Sequence, residues 1–225
     1  MTARFRIVSA NLWNGRADAT AFAELIVELD ADAVAVQELG PAQADALGRV
    51  RPHGLLEPAL DYSGMGIALR APAAMRRLPL PCRDARIADI RIAGAHGFEL
   101  INLHVQAPHS PPTWGTVTRR RGQWRGIERH LAAAPQQPRV LVGDFNATPL
   151  WPLYRRLTAQ LRDAAVVAAQ RGGGRAARTW GPWPGAPRLL RIDHAFVHRV
   201  EVLACRIVPV PGGDHSAVVV DIALA

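Results

Sequence analysis

Val140-Leu141-Val142-Gly143-Asp144-Phe145-Asn146-Ala147-Thr148-Pro149 delivers an acid and an amide, two residues apart, to the end of a short apolar run. Gly143, Asn146 and Pro149 mark the point where regular structure stops. Alternate side chains of a strand share a face, so a strand ending here aims Asp144 and Asn146 the same way and turns Phe145 to the core. That is the geometry of a small site. Asp and Asn are also common turn formers, so the rest of the chain has to decide between a site and a plain turn.

Outward from this stretch, the same pattern recurs. Near the N-terminus Phe5 to Ala10 forms a strand ending at Asn11, Ala21 to Leu29 has helical spacing, and Ala33 to Val36 is a short buried strand ending at Gln37-Glu38. A strand–helix–strand unit predicts parallel neighbours, which places Asn11 and Glu38 on one sheet edge, where α/β folds put their ligands. A helix over Pro41 to about Val50 precedes short strands at 55–57, 66–70, 76–80, 86–92 and 98–105, the last carrying Asn102 and His104. Gly64, Pro72, Pro81 and Gly94 punctuate them, which predicts an antiparallel meander. After a loop at Ala107 to Trp114, a helix is expected over 119–131 with Trp124, Ile127 and Leu131 inward and the arginines at its start solvated. Beyond the central stretch, 151–161 has helical character, and 171–175 is a flexible glycine loop. Arg178 to Gly185 is a rigid aromatic loop whose Arg and Trp side chains suit either a base or sugar or the capping of the core. Strands at 191–197, 202–208 and 217–222 close the chain, with Asp193-His194 and Gly213-Asp214-His215-Ser216 at their boundaries.

Composition narrows the classes. The 225 residues are 49% hydrophobic and 20% charged, without a linker or internal repeat, which predicts a single domain over 1–225 and excludes wholesale disorder. Arginine supplies all the positive charge, because the chain contains no lysine; the balance of 27 against 19 acids gives +8. Biased codon usage accounts for arginine over lysine but less readily for the excess, which favours a polyanionic or phosphate-bearing partner. Cys82 and Cys205 lie far apart and form no metal-binding or redox pair, so two buried, reduced thiols are expected. No apolar run is long enough to span a bilayer, and a cytoplasmic monomer is the default expectation.

Strand boundaries thus present Asn11, Glu38, Asp144 with Asn146, Asp193, and Asp214 with His215. Acids and amides at strand ends suit a hard cation, which takes few protein oxygens and is completed by water and substrate phosphate. A histidine beside an acid, with a second acid to orient its ring, fits a donor to a phosphoryl oxygen. No serine or cysteine has a neighbouring base, which favours direct attack by water over a covalent intermediate.

The ordered motifs Ser-Ala-Asn11-Leu-Trp-Asn, Val-Gln-Glu38-Leu, Ile-Asn-Leu-His104-Val, Gly-Asp144-Phe-Asn146, Arg-Ile-Asp193-His and Gly-Asp214-His215-Ser resemble the endonuclease/exonuclease/phosphatase superfamily, from about residue 5 to the C-terminus. The resemblance implies an α/β fold, a four-layer α/β sandwich with two packed mixed β-sheets flanked by helices. It implies that Glu38 binds Mg²⁺ (or Mn²⁺), with Asn11 assisting and Asp214 close to the metal. Asp144 would orient or deprotonate the attacking water, and Asn146 would hold that water or the phosphate. His215, oriented by Asp193, would stabilise charge on the phosphate.

His104 stands where exonuclease III-like abasic-site nucleases usually carry Tyr, and so is closer to deoxyribonuclease I and the sphingomyelinases. The glutamate that partners this histidine in deoxyribonuclease I has no counterpart in Asp61 to Gly66. Gly213 replaces a usual Ser and Ala217 a frequent Pro, changes that remove no chemical group. The expected activity is metal-dependent hydrolysis of phosphate esters, foremost phosphodiester cleavage in nucleic acid. A phosphatase or phospholipid phosphodiesterase is the alternative, and a non-catalytic binding module is disfavoured because every required polar position is filled.

Overall fold

The computed structural model describes residues 4–92, 97–110 and 114–223. Met1 to Ala3, the expected turn at Gly94, and Pro111 to Thr113 of the expected loop lie outside them.

The first sheet has the order β11-β12-β1-β2-β4-β3, built from β1 (Arg4–Asn11), β2 (Ala33–Gln37), β3 (His53–Glu57), β4 (Met65–Leu69), β11 (Glu201–Pro209) and β12 (Ser216–Ala223). The second has the order β5-β6-β7-β8-β10-β9, from β5 (Ala74–Leu78), β6 (Ala85–Ile90), β7 (Phe98–His104), β8 (Arg139–Asp144), β9 (Arg162–Asp163) and β10 (Asp193–His198). Each sheet holds a parallel pair, β1 with β2 and β7 with β8, among antiparallel neighbours. Both sheets are therefore mixed.

Side-chain alternation builds the layers. On β1, Ile7 enters the core between the sheets while Val8 and Ala10 face α1 (Ala19–Glu28) and α2 (Pro41–Val50). On β8, Val140 and Val142 point between the sheets, and Leu141 packs with Trp124, Ile127 and Leu131 of α3 (Thr116–Ala133) and Leu157 of α4 (Pro152–Thr158). Central strands buried on both faces read as continuous apolar runs, which is why Val140 to Val142 shows no polar alternation. Helix, sheet, sheet and helix give the four-layer sandwich.

Two expectations need correction. The meander is split: β3 and β4 end the first sheet, and the chain then crosses to begin the second with β5, β6 and β7. Antiparallel pairing between neighbours does not reveal that crossing. The sequence reading also leaves 162–170 without an element, yet β9 is followed by α5 (Ala164–Arg171), which packs beside β10 and β11. Asp163 caps α5 by accepting from Ala165 N at 2.9 Å and Val166 N at 3.3 Å, so an N-cap followed by an alanine-rich run was the available signal.

Gly143 shows how closely the central strand is seated. Its φ is +139°, and a Cβ placed there would lie 1.8 Å from the Leu103 carbonyl oxygen on β7. Gly143→Ala combines forbidden backbone with a clash against an adjacent strand, so we expect a loss of about 3 kcal/mol or more. Denaturant unfolding checks it; an unchanged midpoint would mean that β7 and β8 can part at this point.

Candidate active site

The register of the second sheet lines up a row of polar side chains. His104 and Asp193 are the cross-strand partners of Asp144 on either side, so β7, β8 and β10 present them together at one edge. In the first sheet, Asn11 pairs with Gln37, and Glu38 follows in a turn with φ of +53°. Asn11 joins the two sheets: its Nδ2 donates to Glu38 Oε1 at 3.0 Å and to Asp144 Oδ2 at 3.1 Å. Its Oδ1 in turn accepts from Trp13 N at 2.9 Å. One layer below, Gln37 Nε2 donates to Asn102 Oδ1 at 2.6 Å, and Asn102 Nδ2 donates to the Val36 and Gly66 carbonyls. Buried amides thus fix the spacing of the sheets under the site.

All eight residues named from the sequence come to this edge. Asn146, with φ of +47°, wraps Asp144: its N–H donates to Oδ1 at 2.8 Å, and its Nδ2 donates to Oδ2 at 3.1 Å and to the Val105 carbonyl at 3.1 Å. His215 Nδ1 meets Asp193 Oδ2 at 2.9 Å and Oδ1 at 3.1 Å. Glu38 Oε2 accepts from Asn14 N at 2.7 Å. His104 Nε2 lies 3.7 Å from both Glu38 Oε1 and Asp144 Oδ2. Its Nδ1 is buried without a hydrogen-bond partner, in keeping with the missing glutamate. Asp214 accepts from Trp180 Nε1 at 3.3 Å through Oδ2, while its Oδ1 is buried and unpartnered. His104 and the acids Glu38, Asp144 and Asp214 line one open cleft of about 740 Å³ with Asn146 and His215.

Electrostatics set the protonation pattern. Burial, then the neighbouring Asp193, pushes the Asp144 carboxyl upward, opposed by His215. Burial likewise raises Glu38 and Asp214. It would lower His215, but Asp193, with Asp144 and Asp214 beyond it, wins and pushes the imidazole up to about 10. His215 is therefore a cation and a donor at neutral pH. His104 is held well below its ordinary value by burial and by the positive charges of Arg83 and His215, and so is neutral.

Among the described residues, metal-competent donors fall into two groups within 4.8 Å, Glu38–His104–Asp144 and Asp144–Asp193–His215. A protonated His215 bound to Asp193 is a donor dyad rather than a ligand pair, which leaves the Glu38 side for a cation. Asp214 Oδ1, a buried carboxylate oxygen bonded to nothing among the described residues, fits the same charge requirement.

Several supporting residues escaped the sequence reading. Thr179, fully buried, accepts from the backbone N–H groups of Ile192 and Asp193 at 3.1 Å through Oγ1, so the aromatic loop holds the start of β10. Within that loop Trp180 caps the site while Trp183 stays exposed. Arg120 is not solvated as expected: it donates to the Gln106 and Asn146 carbonyls and lies over the Trp151 ring. Cys82 is exposed rather than buried, in a left-handed turn with φ of +69°, and both cysteines are free. Arg83, which follows it, lines the cleft and had no distinguishing local signal.

The sequence matches the model of the Endonuclease/Exonuclease/phosphatase family over residues 8–215. No curated protein matches it. Among solved structures, an endonuclease/exonuclease/phosphatase family protein from Bacteroides thetaiotaomicron superposes with a TM-score of 0.77 at 15% identity, covering 100% of this chain and 99% of that one. A D. rerio TDP2 humanized by 14 mutations gives 0.74 at 19% identity, with 97% and 98% covered. A mannosyl-6-phosphatase from B. thetaiotaomicron gives 0.74 at 16% identity, with 97% and 99% covered. At these identities the likeness is one of fold. Among the described residues, no helix is long and apolar enough to cross a membrane.

Proposed function

Because the chain belongs to the endonuclease/exonuclease/phosphatase family, whose members hydrolyse phosphate esters, we propose that it is a Mg²⁺-dependent phosphodiesterase acting on nucleic acid through direct attack of water. The observation that carries the reading is the convergence of Asn11 and Asn146 on Asp144, beside a protonated His215 held by Asp193. Base and acid are thereby poised in one cleft.

Asp144 takes the proton of the attacking water; burial and Asp193 have made its carboxylate more basic than an exposed one. Asn146 holds Asp144 in place and orients the water or the phosphate. His215 donates to a phosphoryl oxygen as negative charge builds there, and Asp193 keeps its ring charged and aimed. His104 is neutral and sits with its Nε2 3.7 Å from Glu38 and Asp144, where it fills the space between the two carboxylates without adding charge. Glu38 would hold the divalent cation, with Asn11 and Asp214 beside it. When bound, the cation supplies charge that polarises the phosphate oxygens.

Nucleic acid is favoured by the excess of arginine over acid and by the openness of the cleft. A second reading, a phospholipid phosphodiesterase, is favoured by one observation: Tyr62, Trp151 and Leu190 line the cleft yet remain 56%, 36% and 41% exposed, with Leu60, Leu150 and Leu189 exposed beside them. An apolar rim around a phosphoesterase cleft suits a lipid surface.

Supercoiled plasmid, single-stranded RNA and phospholipid vesicles, each incubated with the protein plus Mg²⁺ or Mn²⁺, separate the readings. Metal-dependent nicking or RNA cleavage, lost with chelator and steeply weakened by salt, is the expected result. Vesicle hydrolysis without nucleic-acid cleavage would replace it with the lipid reading. Undiminished cleavage in chelator would sink the metal assignment.

A further inference from the structure

Charge is divided unevenly between the two helix layers. α1 and α2 carry Glu24, Glu28 and Asp45 against Arg49, whereas α3 and α4 carry seven arginines against Glu128. Biased codon usage raises arginine along a whole chain and does not confine it to one layer. At other surface positions arginine meets an acid, as Arg70 does with Asp30, Arg76 with Asp89 and Arg171 with Glu201. On α3 and α4, Arg121, Arg125, Arg155 and Arg156 are exposed and have neither an ion pair nor a side-chain hydrogen bond among the described residues. Arg129, also exposed, has only its Nε on the Arg125 carbonyl at 3.3 Å.

Arg121, Arg125 and Arg129 recur at every fourth residue and so form one stripe along α3, in steps of about 6 Å and about 12 Å in all. Like charges at this spacing repel and weaken the helix, so nothing inside the molecule rewards the stripe. It starts at the cleft. Arg120 donates to the carbonyls of Gln106 and Asn146, two residues of the cleft wall, and lies over Trp151, the N-cap of α4, which lines the cleft as well. Arg121 therefore follows a side chain fixed to the wall, and the stripe leads away from it.

The partner follows from charge and from what the stripe lacks. Repeated guanidinium groups without acids of their own suit a polymer of phosphates. From Arg121 onward the outward residues of α3 include no large apolar side chain, because Trp124, Ile127 and Leu131 face the core. A helix that binds a lipid surface needs such a face outward. We propose that the α3 stripe, together with Arg155 and Arg156 on α4 of the same layer, is a backbone-binding surface for nucleic acid that holds the strand beyond the cleft. The inference deepens the nucleic-acid reading above and rests on it, adding that the substrate is an extended strand.

The test reads strand binding apart from turnover. Fluorescein-labelled single-stranded DNA and RNA of about 20 nucleotides are titrated by anisotropy over a range of salt, in chelator so that they stay intact. The proteins are wild type, Arg121→Gln/Arg125→Gln/Arg129→Gln and Arg121→Lys/Arg125→Lys/Arg129→Lys; phosphatidylserine vesicle binding and, with Mg²⁺, hydrolysis of bis(p-nitrophenyl) phosphate are measured on the same samples. The glutamine variant is expected to bind a strand about 10-fold or more weakly, with the slope of log affinity against log salt shallower by about 2, roughly 0.7 for each lost contact. The lysine variant keeps the slope, because counterion release counts charges. Melting temperature and hydrolysis of the small ester stay at the wild-type level, since the three side chains are exposed and outside the cleft. A glutamine variant that binds both strands as wild type does, or a wild type that binds neither, would overturn the inference. Loss of vesicle binding with strand binding intact would also overturn it and assign the stripe to a lipid surface. A wild type that binds through the stripe but hydrolyses no ester would sink the phosphoesterase reading and leave this surface standing. An active enzyme whose strand binding ignores the stripe would do the reverse.

Discussion

Asp144→Asn is expected to lower kcat by about 10³- to 10⁴-fold, because an amide keeps the shape of the carboxylate and loses the capacity to take a proton from water. The position is 2% exposed and receives three donors: Asn146 N on one oxygen, and the Nδ2 groups of Asn11 and Asn146 on the other. An asparagine offers one acceptor and one NH2, so one of those sides meets donor against donor. That mismatch costs about 1–3 kcal/mol of stability. Circular dichroism and thermal melting must therefore accompany the single-turnover assay. A folded Asp144→Asn protein retaining more than a tenth of wild-type kcat would remove Asp144 from the role of base.

The second large effect falls on the dyad. His215→Gln is expected to reduce kcat by about 10²- to 10³-fold, the scale of removing one donor that meets developing charge. Asp193→Asn should cost less at neutral pH but change the pH profile. In the wild type, burial works against the charge on His215, but Asp193, with Asp144 and Asp214 behind it, outweighs it and pushes the imidazole up to about 10. With the charge of Asp193 removed, burial is left less opposed and the imidazole pKa falls. The protonated donor is then lost as pH rises through a lower value, so the alkaline limb of the rate profile moves to lower pH. Combining Asp193→Asn with His215→Gln should add little to His215→Gln alone, since the two act as one unit. Additive losses, or an alkaline limb that stays in place in Asp193→Asn, would separate the residues.

Much of this site was legible in the chain because strand ends carry short-range signals. Asn11 closes an apolar strand, Glu38 follows Ala-Val-Ala-Val-Gln, and Asp144 follows Val-Leu-Val-Gly, each at a point where burial gives way to turn chemistry. The β1–α1–β2 unit correctly predicted a parallel pair with its two polar ends together. Thr179 and Arg120 were less accessible to reading. Thr179 sits in a loop whose Arg and Trp residues drew attention to base stacking, whereas its work is to hold the start of β10. Arg120 stands in an arginine run that looks like a solvated helix face, and only the approach of the Asn146 carbonyl gives it a different task.

The sequence by itself determined most of the elements, though not β9 and α5, together with the apolar faces on both sides of the central strands and the polar residues at their ends, because periodicity, turn residues and caps act over a few positions of chain. Tertiary structure alone decided that the chain crosses between sheets after β4 and that Asn11 reaches across to Asp144. It also decided that Trp180 lies on Asp214 and that Arg83 lines the same cleft as the acids. Those contacts join residues far apart in sequence, and their distances are set by how two sheets and two helix layers pack to fill a common core, a quantity that no local pattern encodes.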